Sequence, residues 1–206
     1  MELSPAHKDA ITELINIGYG RAAGALSELT GYRITLEVPQ VGVHEIETIG
    51  PTLEKILGPS VASVNQAFSG PVKGNALLLL DEPSALILSQ LLSEERSSAT
   101  HLDSNAREII TEIGNILLNA CLGVFGNLLQ IHVSFSVPRF LIENVTRLLE
   151  YISHQSGEKL RYGLLIHTRF SVKQGDVTGY MVIVLGIASL ERLMHELDGW
   201  EARQLR

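Results

Sequence analysis

The chain has 206 residues, is 45% hydrophobic and carries a formal net charge of −7. That length buries a sizeable core without disulfides or metals and suits one domain or two intimately packed halves. The acidic balance, with scattered Lys and Arg, argues against nucleic-acid binding by phosphate neutralisation. A single cysteine, Cys121, excludes an intrachain disulfide framework and fits a reducing, cytoplasmic compartment.

Ser4-Pro5 opens a first long helix, serine as N-cap and proline in the first turn. Ile11, Leu14, Ile15, Gly18, Ala22, Ala25 and Leu29 fall in one sector at helical period. Asp9, Glu13, Asn16 and Gly20 fall opposite. Thr30-Gly31 is the expected stop. Residues 32–38 alternate as a strand ending at Pro39, with 41–49 continuing extended. A short helix is expected over 52–57 and a strand over 61–68. A strand over 74–80 is apolar enough to be buried on both faces. Asp81-Glu82-Pro83-Ser84 then caps a helix to Leu92.

Residues 93–105 read as a linker. Asp103 or Ser104 caps a second long helix with Ile110, Ile113, Leu117, Ala120, Cys121, Val124 and Leu128 on its apolar side. Glu108, Glu112, Asn115 and Asn119 lie opposite. Its stretch 113–131 is uncharged and long enough to span a bilayer. It also holds Asn115, Asn119, Asn127 and Gln130, so no membrane span is expected. A strand over 131–137 ends at Pro138, followed by a helix over 143–151. A hairpin spans 162–171 and 178–185, turning at Lys173-Gln174-Gly175-Asp176, and a helix over 189–197 closes the chain. The N-terminus lacks a signal-peptide pattern.

The two halves read alike. Asp9, Glu13, Asn16, Gly20 and Pro39 recur as Glu108, Glu112, Asn115, Asn119 and Pro138 at a constant offset of 99 residues. Later the offset drifts, aligning Phe68 with Phe170 and Gly74 with Gly179. An internal duplication, with repeats over about 1–95 and 103–200, is the natural explanation.

A lone Glu-x-x-Asn on a helix is usually a solvated face. Two in one register, with equal spacing to a proline, call for more. Three-residue spacing puts both side chains on one helix face. An asparagine amide is no general base at neutral pH. It can accept a hydrogen bond from water and donate one to an oxyanion, and so hold a water in line for attack. A glutamate beside it can pair with a partner lysine and fix docking. Gly20 would let a partner backbone approach. Cys121 lies on the apolar side and reads as a core residue. The seven histidines show no metal-ligand spacing. There is no phosphate loop: Gly18, Gly20 and Gly24 sit within a helical pattern, where they are expected to permit tight packing.

With Asp9, Glu13, Asn16 and Pro39, and again Glu112, Asn115 and Pro138, the chain resembles the CheC/CheX/FliY family of bacterial chemotaxis phosphatases. Its signature is Asp or Ser, three residues, Glu, two residues, Asn, twenty-two residues, Pro. Glu108 occupies the Asp/Ser slot of the second copy, one methylene longer. The resemblance implies an α+β, internally duplicated, pseudo-twofold fold. An antiparallel-rich β-sheet would pack against the two long signature helices, whose polar faces stay exposed. It also implies hydrolysis of the aspartyl phosphate on CheY, with Asn16 and Asn115 positioning water and Glu13 and Glu112 pairing with a CheY lysine. The protein would need no cofactor of its own, the Mg²⁺ belonging to CheY. Family members also bind the deamidase CheD, for which Glu143 is the nearest acidic match after the second signature. Two signatures fit the two-site members, and, with few residues following Leu197, no added flagellar-switch domain is expected. The alternative reading is a non-catalytic adaptor that docks on a response regulator or on CheD.

Overall fold

The computed structural model describes residues 3–92, 100–155, 160–172 and 175–204. Helix α1 (Pro5–Thr30) begins where the Ser4 hydroxyl accepts the His7 N–H at 3.0 Å. It ends at Gly31, left-handed at φ 69°, whose N–H bonds back to Ser27. Ile11, Leu14, Ile15, Gly18, Tyr19, Ala22 and Leu26 are buried, whereas Ala25 and Leu29, expected on that side, are exposed. Helix α4 (Ser104–Leu129) starts at Asp103, whose carboxylate accepts the Ala106 N–H at 2.8 Å. Its buried side comprises Ile110, Ile113, Leu117, Cys121 and Val124, as expected; the Leu128 side chain lies outside the described set. The window Ser104–Asn127 passes for a membrane span by length and composition, but 50% of it is buried inside the protein.

Between them run β1 (Ile34–Glu45), α2 (Ile46–Leu57), β2 (Val61–Ser69), β3 (Gly74–Asp81) and α3 (Glu82–Leu92). After α4 come β4 (Ser134–Phe135), β5 (Arg139–Glu143), α5 (Val145–Gln155), β6 (Leu160–Val172), β7 (Gly175–Gly186) and α6 (Ile187–Gln204). The seven strands of the described residues form one sheet, ordered β1-β6-β7-β3-β2-β4, with β5 also on β2, and each of its ladders is antiparallel. Alternation along β2 and β3 divides two cores. Ala62, Val64, Phe68, Ala76, Leu78 and Leu80 face α1, α3, α4 and α6. Val61, Leu77 and Leu79 face α2 and α5 on the other side. This second helical layer buries the reverse face of β3, as its unbroken apolar run requires. Glu54 of α2 ties the layer together, taking hydrogen bonds from Thr146 of α5 that hold its carboxyl below the ordinary range.

Four expectations need correction. First, the strand of Pro39 does not end there, and the strand expected over 131–137 is confined to Ser134–Phe135. In β1 the ladder steps from Glu37↔Arg169 to Gln40↔His167, so Pro39 sits in a one-residue bulge and the strand continues to Glu45. Pro138 separates β4 from β5 in the same way, between Phe68↔Phe135 and Asn65↔Arg139. Proline has no N–H to give a ladder, and a bulge asks for none. Second, 46–49 are helical, not extended: α2 starts at Ile46 and carries Pro51 inside. Third, Glu143 ends β5 and does not begin a helix. Fourth, Phe68 pairs with Gly74 but Phe170 with Val177, so Gly74 and Gly179 do not share a rung. The expected linker falls largely on 93–99, outside the described residues, as do 173–174 of the expected turn.

Candidate functional site

The apolar side of α1 is committed to the core, which turns Asp9, Glu13, Asn16 and Gly20 outward, all four exposed. On α4, Glu108 and Glu112 are likewise exposed, while Asn115 and Asn119 are half-buried. The two helices lie side by side on one face of the sheet and meet where Gly18 faces Cys121. A Cβ at Gly18 would come within 2.8 Å of the Cys121 backbone. Gly20 and Gly24 have open space around the missing Cβ, so of the three α1 glycines only Gly18 serves packing. Both Glu–Asn pairs are thus presented by the same layer of the molecule.

The two carboxamides differ in their surroundings. Among the described residues, the Asn16 side chain has no hydrogen-bond partner. Asn115 accepts at Oδ1 a 2.7 Å hydrogen bond from Nδ2 of Asn119. Oδ1 of Asn119 accepts from Nε2 of Gln66 at 3.0 Å, and the same Nε2 donates to the Ser136 carbonyl, also at 3.0 Å. Gln66, on β2, is 2% exposed, and its Oε1 has no partner. Around the first signature the corresponding buried contact joins the Tyr19 hydroxyl to Thr168 and leaves Asn16 aside. Sequence reasoning missed Gln66 and Ser136. The available signal was one polar residue in the inward series Ala62, Val64, Gln66, Phe68.

Glu143 is exposed, and its carboxylate takes the Asn144 N–H at 2.9 Å, beside the start of α5. It lines a groove of about 790 Å³ with Asn65, Arg139, Leu141, Arg147 and Tyr151. That groove opens on the α5 side of the sheet, away from both Glu–Asn faces. Cys121 is fully buried and burial pushes its thiol far up, so no thiolate nucleophile arises there. Among the described residues, no group of three or more His, Cys, Asp or Glu side chains could hold a metal ion.

The sequence profile of the CheC-like family matches residues 7–43, the segment holding the first signature and its proline. The Halobacterium salinarum protein named "Putative CheY-P phosphatase CheC1" is 25% identical over 134 residues, 64% of this chain and 66% of that protein. Among solved structures, FliY of Thermotoga maritima superposes with a TM-score of 0.77 at 19% identity, covering 97% of this chain and 100% of that one. A chain of the FliG–FliM complex from H. pylori superposes with a TM-score of 0.64 at 13% identity, over 94% and 100% of the two chains. A CheC-like superfamily protein from Shewanella sp. PV-4 gives 0.50 at 15% identity, over 84% and 98%. The chain thus resembles the CheC-like family in the sequence of its first signature segment, and it shares the fold of FliY along nearly its whole length.

Proposed function

We propose that the protein is an aspartyl-phosphate phosphatase acting on a CheY-type response regulator in the cytoplasm. The observation that carries this reading is the twice-repeated Glu–Asn face, turned outward on α1 and on α4 with the apolar side of each helix spent on the core. The relative named for CheY-P phosphatase activity supports the substrate class. Asn16 and Asn115 each offer an N–H to a phosphoryl oxygen and a carbonyl oxygen to a water, which suits alignment of an attack that needs little covalent chemistry from the catalyst. Glu13 and Glu112 pair with a lysine of the receiver and set the docked register, with Asp9 and Glu108 extending the acidic stripe. Gly20 admits the receiver backbone, and Asn119 fills that slot in the second site. The Mg²⁺ that neutralises the phosphoryl group stays on the receiver, and this chain supplies no cofactor. Internal duplication of one Glu–Asn half accounts for the two sites.

The fold is also found in a chain of the FliG–FliM complex, so fold alone does not imply hydrolysis. That observation favours a second reading, an adaptor that docks on a receiver, or on CheD through the Glu143 region, without turnover. Phosphate release from a CheY-type receiver charged with a small phosphodonor separates the two. Wild type accelerates release, Asn16→Ala and Asn115→Ala each lower it, and the double variant abolishes it. Binding without acceleration by wild type, or full acceleration by the double variant, sinks the phosphatase reading.

A further inference from the structure

We infer that Gln66 and Asn119 are positioning residues for Asn115, so that the second signature carries a preset carboxamide and the first a free one. The inference rests on the phosphatase reading above and assigns its two sites unequal roles. A carboxamide has nearly the same shape in its two orientations, and which atom faces the phosphoryl group decides whether it donates or accepts there. The polarity of the Asn115 amide follows from a chain that starts at a backbone carbonyl. The Ser136 carbonyl can only accept, so it draws the NH₂ of Gln66. The same NH₂ fixes Oδ1 of Asn119 towards Gln66, and Nδ2 of Asn119 is thereby aimed at Oδ1 of Asn115. Asn115 is left with its NH₂, which has no partner among the described residues, for a phosphoryl oxygen. One Oδ1 lone pair remains for water.

Three observations make this more than a chance contact. Gln66 is 2% exposed with Oε1 unpartnered, a burial penalty that its inward-facing neighbours Ala62, Val64 and Phe68 avoid. Ser136 reaches it at the step where Pro138 breaks the β2 ladder, with the Ser136 N–H on the Ala67 carbonyl at 2.9 Å and the Ser136 hydroxyl on the Ala67 N–H at 3.0 Å. This gives the proline of the second signature a physical route to its asparagine. Among the described residues the first signature has no such route. Gly20 stands where Asn119 does, and Thr168, two residues before Phe170 as Gln66 is before Phe68, is bonded to Tyr19.

The test uses the full chain carrying Asn16→Ala, so that only the second site works, and a phosphorylated CheY-type receiver. Adding Gln66→Met, which keeps side-chain volume at a buried position away from the docking face, lowers kcat about fivefold, the factor equivalent to one net hydrogen bond, with KM for the receiver unchanged. The side-chain amide signal of Asn115 in a ¹⁵N-correlation spectrum shifts in Gln66→Met while the circular dichroism spectrum stays native. An unmoved amide signal overturns the inference, as does an unchanged kcat or a rise confined to KM. Loss of all activity in Asn16→Ala alone, with Asn115→Ala active, overturns it and leaves the phosphatase reading intact. A wild-type protein that does not accelerate release ends both.

Discussion

Gly18 sets how closely the two signature helices approach, and through that the spacing of their polar faces. The Cβ of an alanine there would meet Cys121 Cα at 2.8 Å and its sulfur at 3.1 Å, and backbone cannot rotate out of the way. Gly18→Ala is therefore expected to overpack the α1–α4 contact and cost about 2 kcal/mol, measured as a lower denaturant midpoint at constant m-value. Gly24→Ala is the contrast. Its Cβ enters open space, so the helix gains up to about 1 kcal/mol from the better helix former. Equal effects at the two positions would show that the helices are not in contact at Gly18. Composition pointed to all three α1 glycines alike. Only the crossing point singles out Gly18, and a crossing point is set by the partner helix, which no local pattern contains. The same holds for Gln66: its neighbours mark it as buried, but only α4 explains why it is polar.

The two signature helices end alike but for different residues. Gly31 closes α1 at φ 69°, and Gln130, at the offset of 99 residues, closes α4 at φ 60°. Gln130 is the one positive-φ residue other than glycine among the described residues. A Cβ in the left-handed region crowds the following carbonyl, so Gln130→Gly is expected to stabilise the protein by about 1 kcal/mol, read as a higher midpoint in chemical denaturation. An unchanged or lower midpoint would refute a strained cap. The pair also explains what could be read in advance. The end of α1 was legible because glycine advertises a left-handed cap. The end of α4 was not, because glutamine does not. Long helices with clear caps and period, and the apolar strand β3, were legible for the same reason: the local pattern and the tertiary demand agree. Residues 46–49 were missed because the alternation of β1 runs on into a helix whose burial against α5 decides its form. In sequence Pro39 reads as a strand end because the ladder that tolerates it belongs to distant residues of β6.

The element order α-β-α-β-β-α of the first half recurs in the second, with β4 and β5 together in the place of β1. Yet the halves are not separate bodies. Among the described residues β1 pairs only with β6, and β4 and β5 pair only with β2, so each half completes the sheet edge of the other. The centre is the β3–β7 ladder, one strand from each half. The main core draws on both signature helices and the smaller one on α2 and α5 together. An isolated half would carry unpaired strand edges and an uncovered helix face on both sides of its hairpin, each a large cost to a chain of about a hundred residues. The chain should therefore behave as one cooperative unit. Calorimetric and van't Hoff enthalpies of unfolding are expected to agree, with circular dichroism and Trp200 fluorescence tracing a single shared transition. Residues 1–95 and 103–200 expressed apart should each stay unfolded. Two resolved transitions, or a half that folds alone, would mean that the interleaved sheet is not what holds the two Glu–Asn faces in their common layer.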